Sequence, residues 1–326
     1  MRLSSSVSLL VVLMVSCQTS DPGLPPSRVS SLPWGSAPAD RLSWSARQAV
    51  ERGEPEQALL QLDSILAERP DHIDANRLRQ DLLRERGRRG RLLIEAAQRV
   101  HDRPEDGLAY YLQARVTEDP KAKLKGFQRA AELEPGAVWP WLGLAHSMRR
   151  VDRPRALEIY ARLYAASGQH PLVGVAYAAA LREGKRWDAA AQVYRDMRSD
   201  PRMPGVGDLG LAQVGVARDD RGAAWAALLE ALRLRPYDPG VQGLVHGWLE
   251  TYATPDQAQQ VVDILREDGG RLRAFGGSGG ALVLAELLQR QGQLQAARAV
   301  LARRLEQRQG PALQRAYRRL VVSPGG

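Results

Sequence analysis

The stretch WPWLGLAHSMRRVDRPRALEIY, Trp139 to Tyr160, decides how the chain is read. It holds two apolar runs at helical spacing with a short polar break between them, and the small residue Ala156 opens the second run. Working outward from Ala156, the same place recurs at Ala190, Ala224 and Ala258, at intervals of 34 residues. Toward the amino terminus it recurs at Ala58, one step of 34 from Ala58 lands on Leu92, and toward the carboxyl terminus Ala297 follows Ala258 by 39. Four residues beyond these small residues stand Leu62, Tyr160, Tyr194, Leu228, Val262 and Leu301. A fixed period of this length is the signature of a stacked repeat, and strand-like alternation never lasts along the chain. The chain therefore reads as all-α. Helices are expected to end near Pro70, Pro104, Pro135, Pro171, Pro201 and Pro236, because proline lacks an amide donor and clashes with the preceding turn.

Trp139-x2-Leu142-Gly143-x2-His146 followed by Ala156-x3-Tyr160 resembles the tetratricopeptide repeats. Ala190-x3-Tyr194, and Ala224-x3-Leu228 with Pro236, carry the second half of that pattern. The steric reason is that two antiparallel helices approach closely where one contributes Ala or Gly and the other a ring or Leu. The resemblance implies an all-α, TPR-like helical-hairpin solenoid, a right-handed superhelix of about eight units over residues 41–309. The small residue is missing around Leu92 and Lys123. PALQRAYRRLV, residues 311–321 within a 310–326 tail, suits a closing helix with a polar outer face. A generic helical bundle would lack the fixed period. In this family the first helix of each pair lines the concave face. The resemblance therefore implies a partner-binding groove lined by Arg77, Arg84, Leu108, Leu112, Arg115, Leu144, Met148, Arg182 and Gln213.

The single cysteine of the 326 residues, Cys17, follows an apolar run from Val7 to Val15 and the small Ser16. A short positive start and an apolar run too short to span a bilayer make residues 1–16 a signal peptide. Met14-Val15-Ser16-Cys17 resembles the lipobox of bacterial lipoproteins, with Met14 standing where leucine is usual. That resemblance implies acylation of Cys17; ordinary secretion and an uncleaved anchor are the alternatives. Burial contributes about 0.8 kcal/mol per methylene, so two or more chains hold a protein firmly. Gln18 in place of an aspartate favours the outer membrane. Residues 17–40, rich in Ser, Pro and Gly, read as a flexible-to-extended tether.

With one cysteine the chain forms no internal disulfide, and stability must come from packing. The net charge of +9 is almost wholly arginine, lysine occurring only at Lys121, Lys123, Lys125 and Lys185. Nine arginines against four acids lie between Arg77 and Arg103, and seven against one between Arg298 and Arg319. Such patches suit acidic partners or anionic headgroups, or are ordinary solvated faces. A nucleic-acid reader would interleave aromatics with these arginines, and the first patch has only His101 nearby.

Catalytic motifs do not emerge. Gly205 to Gly210, GVGDLG, fits G-x-G-x-x-G but follows RSDPRMP rather than a strand, so it reads as an inter-repeat turn. Histidines 72, 101, 146, 170 and 246 fall in different units without metal-ligand spacing. Six glycines between Gly269 and Gly280 suggest a loop that bends the stack or frees its last pair. The expectation is a non-enzyme without cofactor or metal: a membrane-anchored scaffold of the bacterial cell envelope that binds other proteins. Nucleic acid and small-molecule substrates are not expected. A self-associating structural protein, or a non-catalytic subunit of an envelope enzyme, are the competing readings.

Overall fold

The computed structural model describes residues 23–29, 45–50, 54–236, 238–265, 277–307 and 310–322. Cys17, the lipobox and most of the glycine-rich insertion lie outside the described residues. Among those described there is no strand. Helices follow one another in antiparallel pairs: α1 (residues 45–50) with α2 (Pro55–Glu68), α3 (Ile73–Glu85) with α4 (Arg89–Asp102), and α5 (Gly107–Val116) with α6 (Pro120–Leu133). Then come α7 (Val138–Met148) with α8 (Arg153–Ala166), α9 (Pro171–Glu183) with α10 (Trp187–Met197), and α11 (Val206–Ala217) with α12 (Arg221–Leu234). The last pairs are α13 (Pro239–Thr251) with α14 (Pro255–Leu265) and α15 (Gly277–Arg290) with α16 (Leu294–Gln307), closed by α17 (Pro311–Val322). Most second helices pack on the first helix of the next pair, as α6 on α7 and α10 on α11, and several first helices meet their successors, as α5 meets α7 and α13 meets α15.

The recurring small residue is the fourth residue of the second helices, except in α4, where the buried Leu92 takes that place, and in α6. Ala58, Ala156, Ala190, Ala224 and Ala297 are fully buried there. The third pair departs from this rule, because Lys123 holds the fourth place of α6. Its helices close one turn later, at Gly126, where an added Cβ would come within 2.9 Å of Ala114 Cβ. Glycine thus does in α6 what alanine does elsewhere. Between the paired helices, several turns pass through the left-handed region five residues before the packing position: Gly87, Lys185, Asp219 and Gly292, with φ of 71°, 57°, 56° and 76°. Aspartates cap five helices, Asp106, Asp119, Asp152, Asp220 and Asp238 each accepting a bond from a backbone amide of its own first turn. His72 and His170 cap α3 and α9 through Nδ1.

Three expectations need correction. Pro171 opens α9 at its first position rather than ending α8, since a first-turn residue needs no amide donor. In GVGDLG only Gly205 is a turn residue (φ 74°). Gly207 and Gly210 lie inside α11, where an added Cβ would fall 2.5 Å from Tyr194 O and 2.1 Å from its ring. They are close-packing residues, and Asp208 beside them is buried and bonded to Arg198 Nε at 2.5 Å. Part of the glycine-rich stretch is helical too: α15 begins at Gly277, and Gly279 faces the buried Gln242 side chain of α13.

Part of the tether is docked. Residues 23–29 run beside α8, with Arg155 Nη2 donating to Gly23 O at 2.9 Å and Val29 N donating to Ala166 O at 3.4 Å. Six extended residues at about 3.1 Å each match eleven helical residues at about 1.5 Å each. Pro25 is buried, and Leu24 and Val29 pack on the central core. The Pro25-Pro26 pair favours an extended backbone, so docking it costs little chain entropy.

Candidate functional site

The first helices of the second to fifth pairs form a concave wall, and a pocket of ≈ 650 Å³ lies in it. Each helix contributes one stripe at helical spacing. Arg77, Asp81 and Arg84 come from α3, and Tyr111 and Arg115 from α5. Trp139, Leu142, Gly143 and His146 come from α7, and Leu172, Val175, Ala176 and Ala179 from α9. From the second helices come Lys123 and Phe127 of α6 and Tyr160 of α8. Gly143 lets the α6 ring in: an added Cβ would stand 2.5 Å from Phe127 Cδ1.

The polar groups are arranged unevenly. Asp81 Oδ1 accepts from Arg84 Nη2 and from Arg115 Nη2, both at 2.7 Å. Arg115 Nε also donates to Gln80 Oε1 at 3.0 Å, and Gln80 Nε2 donates to Leu112 O at 3.0 Å, tying α3 to α5. The Arg77 guanidinium stacks over the Trp139 ring. Its Nη1 is 3.5 Å from Asp74 Oδ1. Arg77 Nε and Trp139 Nε1 are buried without an acceptor. Arg149 Nη1 reaches Glu183 Oε1 at 3.1 Å. Lys123 forms no ion pair among the described residues. The lining therefore carries five cations, Arg77, Arg84, Arg115, Lys123 and Arg149, against the single carboxylate of Asp81. Burial, with Arg149 adding to it, holds His146 below its ordinary pKa. Burial pushes Tyr160 up to about 12, so both are neutral at pH 7.

Of the groove residues expected from the sequence, Arg77, Arg84 and Arg115 meet in this pocket. Arg182 of α9 and Gln213 of α11 bond to each other farther along the first helices. Leu112 and Leu144 are corrected: both belong to the core and neither lines the pocket. One residue along a helix turns the side chain by about 100°, so Tyr111 and Gly143 face the groove in their place. Leu108 and Met148 are half-buried against the same core. The sequence reading missed Lys123, Trp139, His146 and Arg149. Lys123 had a signal, since it breaks the repeat's small-residue rule.

The basic stretch from Arg77 to Arg103 is largely paired. Arg79 bonds to Asp63 and Glu95, Arg91 to Glu95, and Arg99 and Arg103 to Asp71. Among the described residues no His, Cys, Asp or Glu group has the arrangement of a metal site, and no helix is long and apolar enough to cross a membrane.

No protein-family profile matches the chain, and no curated protein matches it. Solved structures do. The chain is similar to one from the APC/C hetero-tetramer Cut9–Hcn1, at TM-score 0.50 and 16% identity, over 87% of this chain and 56% of that one. It thus spans little more than half of that chain's length. Pseudomonas aeruginosa PilF aligns at TM-score 0.44 and 18% identity over 72% of this chain and 98% of its own. A tetratricopeptide repeat protein from Parabacteroides merdae aligns at 0.44 and 9% identity, over 87% and 98%. The likeness is one of architecture: the fold is a TPR-like helical solenoid.

Proposed function

We propose that this chain is a non-catalytic scaffold, anchored through acylated Cys17 in the bacterial cell envelope, which holds partner proteins on its concave face. The observation that carries this reading is the pocket of α3, α5, α7 and α9: apolar at its floor, cationic at its rim, and built from the faces that the stack leaves unpartnered. Its titratable groups include cations, a carboxylate already held by two arginines, a histidine whose pKa partial desolvation and Arg149 lower, and the neutral phenol of Tyr160. They suit binding rather than acid–base or nucleophilic chemistry.

The docked segment supports a definite orientation for such an anchor. Cys17 precedes Gly23 by six residues, a reach of at most about 20 Å. Gly23 is held by α8 at Arg155, which does not line the pocket. The membrane is then close to α8, and the groove stays open to the partner. Gln18 favours the outer membrane over the inner one.

Self-association through the ends of the stack is the weaker reading. The outward side of α17 exposes Arg315 and Arg318, and like charges there oppose the pairing of two such ends.

Affinity capture of the tagged, lipidated protein from crosslinked membranes of its host tests the proposal. The comparison is a variant carrying Arg84→Glu with Lys123→Glu. Envelope proteins that co-purify with the parent and are lost in the variant support the reading. Recovery of the same proteins by both would place their binding elsewhere, and recovery of the chain alone would favour self-association.

A further inference from the structure

We propose that the pocket between α3, α5, α7 and α9 receives an acidic segment of a partner protein, with one large apolar side chain inserted between flanking carboxylates. This rests on the scaffold reading above and specifies what the groove selects.

The floor sets the apolar part. Tyr111, Phe127, Trp139 and Leu172 present ring and aliphatic surface to a cavity of ≈ 650 Å³, within the range of about 300–1,000 Å³ that ligand pockets span. Burying such a surface under an inserted side chain is favourable in proportion to the area removed from water.

The rim sets the charge. Asp81 is shared by Arg84 and Arg115, Arg77 lies 3.5 Å from Asp74 and Arg149 reaches Glu183 at 3.1 Å, which leaves Lys123 as the lining cation with no ion pair among the described residues and the rim with a net positive charge. The wall also holds two buried donors without acceptors, Arg77 Nε and Trp139 Nε1. Buried donors are normally satisfied, and an acceptor arriving with a ligand removes the cost. Carboxylates are the acceptors that match both the donors and the surplus positive charge.

Lys123 points the same way. In every other pair this place is filled by a buried apolar residue, alanine in all but the second pair, where Leu92 stands. Here the close approach has moved to Gly126 against Ala114, which frees position 123 from packing, and the side chain there lines the pocket. The repeat gives up a packing residue at the one second helix that supplies this pocket with a lysine.

The test is fluorescence anisotropy with the full chain in detergent and a fluorescein-labelled peptide, Gly-Asp-Glu-Phe-Asp-Glu-Gly. Comparison peptides replace Phe by Ser, or every acid by Lys. Replacing Phe should weaken binding about tenfold, and the lysine peptide should not bind. Lys123→Ala gives the residue found at this place in six of the other seven pairs, so it leaves the fold intact; it should weaken the acidic peptide about two- to fivefold. Absence of acidic-peptide binding, equal binding of the three peptides, or an unchanged affinity in Lys123→Ala overturns the proposal. So does binding of the unacylated Cys17→Ser chain to phosphatidylglycerol vesicles that the acidic peptide does not displace. Should the peptide fail while the charge-reversed variant still loses captured envelope proteins, the acidic code is wrong and the scaffold reading stands.

Discussion

The guanidinium carbon of Arg77 lies 3.7 Å from the centroid of the Trp139 ring, a contact that joins α3 to α7 across the intervening α5. It links the second pair of helices to the fourth and forms one wall of the pocket. A cation held over an indole contributes roughly 0.5–2 kcal/mol, more when desolvated. Arg77→Ala should lower stability by about 1–2 kcal/mol in urea denaturation, combining the lost stack with lost packing of the side-chain stem. Arg77→Lys should recover only part of it, because an ammonium lacks the planar face that lies along the ring.

Two glycine substitutions should move stability in opposite directions. At Gly143 a Cβ would meet the Phe127 ring at 2.5 Å. The ring is buried at 5% exposure and must shift to admit the methyl group. Gly143→Ala should therefore cost about 1–3 kcal/mol. Gly243, exposed on α13, has nothing within 4 Å of its Cβ position. Gly243→Ala should raise stability by about 0.5–1 kcal/mol through helix propensity. Thermal unfolding of the pair, measured together, checks both directions.

Much of this fold was legible because its stabilising contacts repeat. Ala156, Ala190 and Ala224 stand at matching places in successive pairs, Ala58 takes the same place in the first, and the spacing alone reveals the hairpin. What escaped was what does not repeat. Gly126 replaces Lys123 as the packing residue, an exchange that no period displays. Leu112 and Leu144 were assigned to the groove by a shift of one residue, enough to rotate a side chain from the concave wall into the core. Gly207 and Gly210 look like a loop motif in sequence, yet their lack of a side chain serves to admit Tyr194. The hold of Arg155 on Gly23 joins positions 132 residues apart, and local patterning carries no trace of it.

Acid should destabilise the stack through His170. The imidazole caps α9 with Nδ1, and burial pushes its pKa down from 6.5 to about 4. The folded value lies below the unfolded one, so the unfolded chain takes up the proton first. The contribution is complete above about pH 6.5 and is lost progressively as the pH falls toward 4, amounting to roughly 1–3 kcal/mol. His170→Asn retains a capping acceptor and removes the titration. Urea midpoints compared at pH 7 and pH 5 should fall less in the variant than in the parent.

The docked amino-terminal segment makes a prediction of its own. Arg155→Ala removes the donor to Gly23 O, and Pro25→Asp places a charge at a buried position. The double variant should expose residues 23–29 to limited proteolysis while α2–α17 stay protected, since few contacts beyond α8 depend on the segment. Hydrogen exchange at Val29, whose amide is bonded to Ala166 O, should quicken in parallel.

The central claim is that the concave pocket is where partners are held, and photocrosslinking in the living host tests it most directly. A benzophenone side chain would replace Arg84, half exposed at the pocket rim. In a second strain it would replace Ile94, 73% exposed on α4 and outside the pocket. The account predicts discrete protein adducts from position 84 and none from position 94. Adducts from position 94 alone, or equal yields from both, would contradict it.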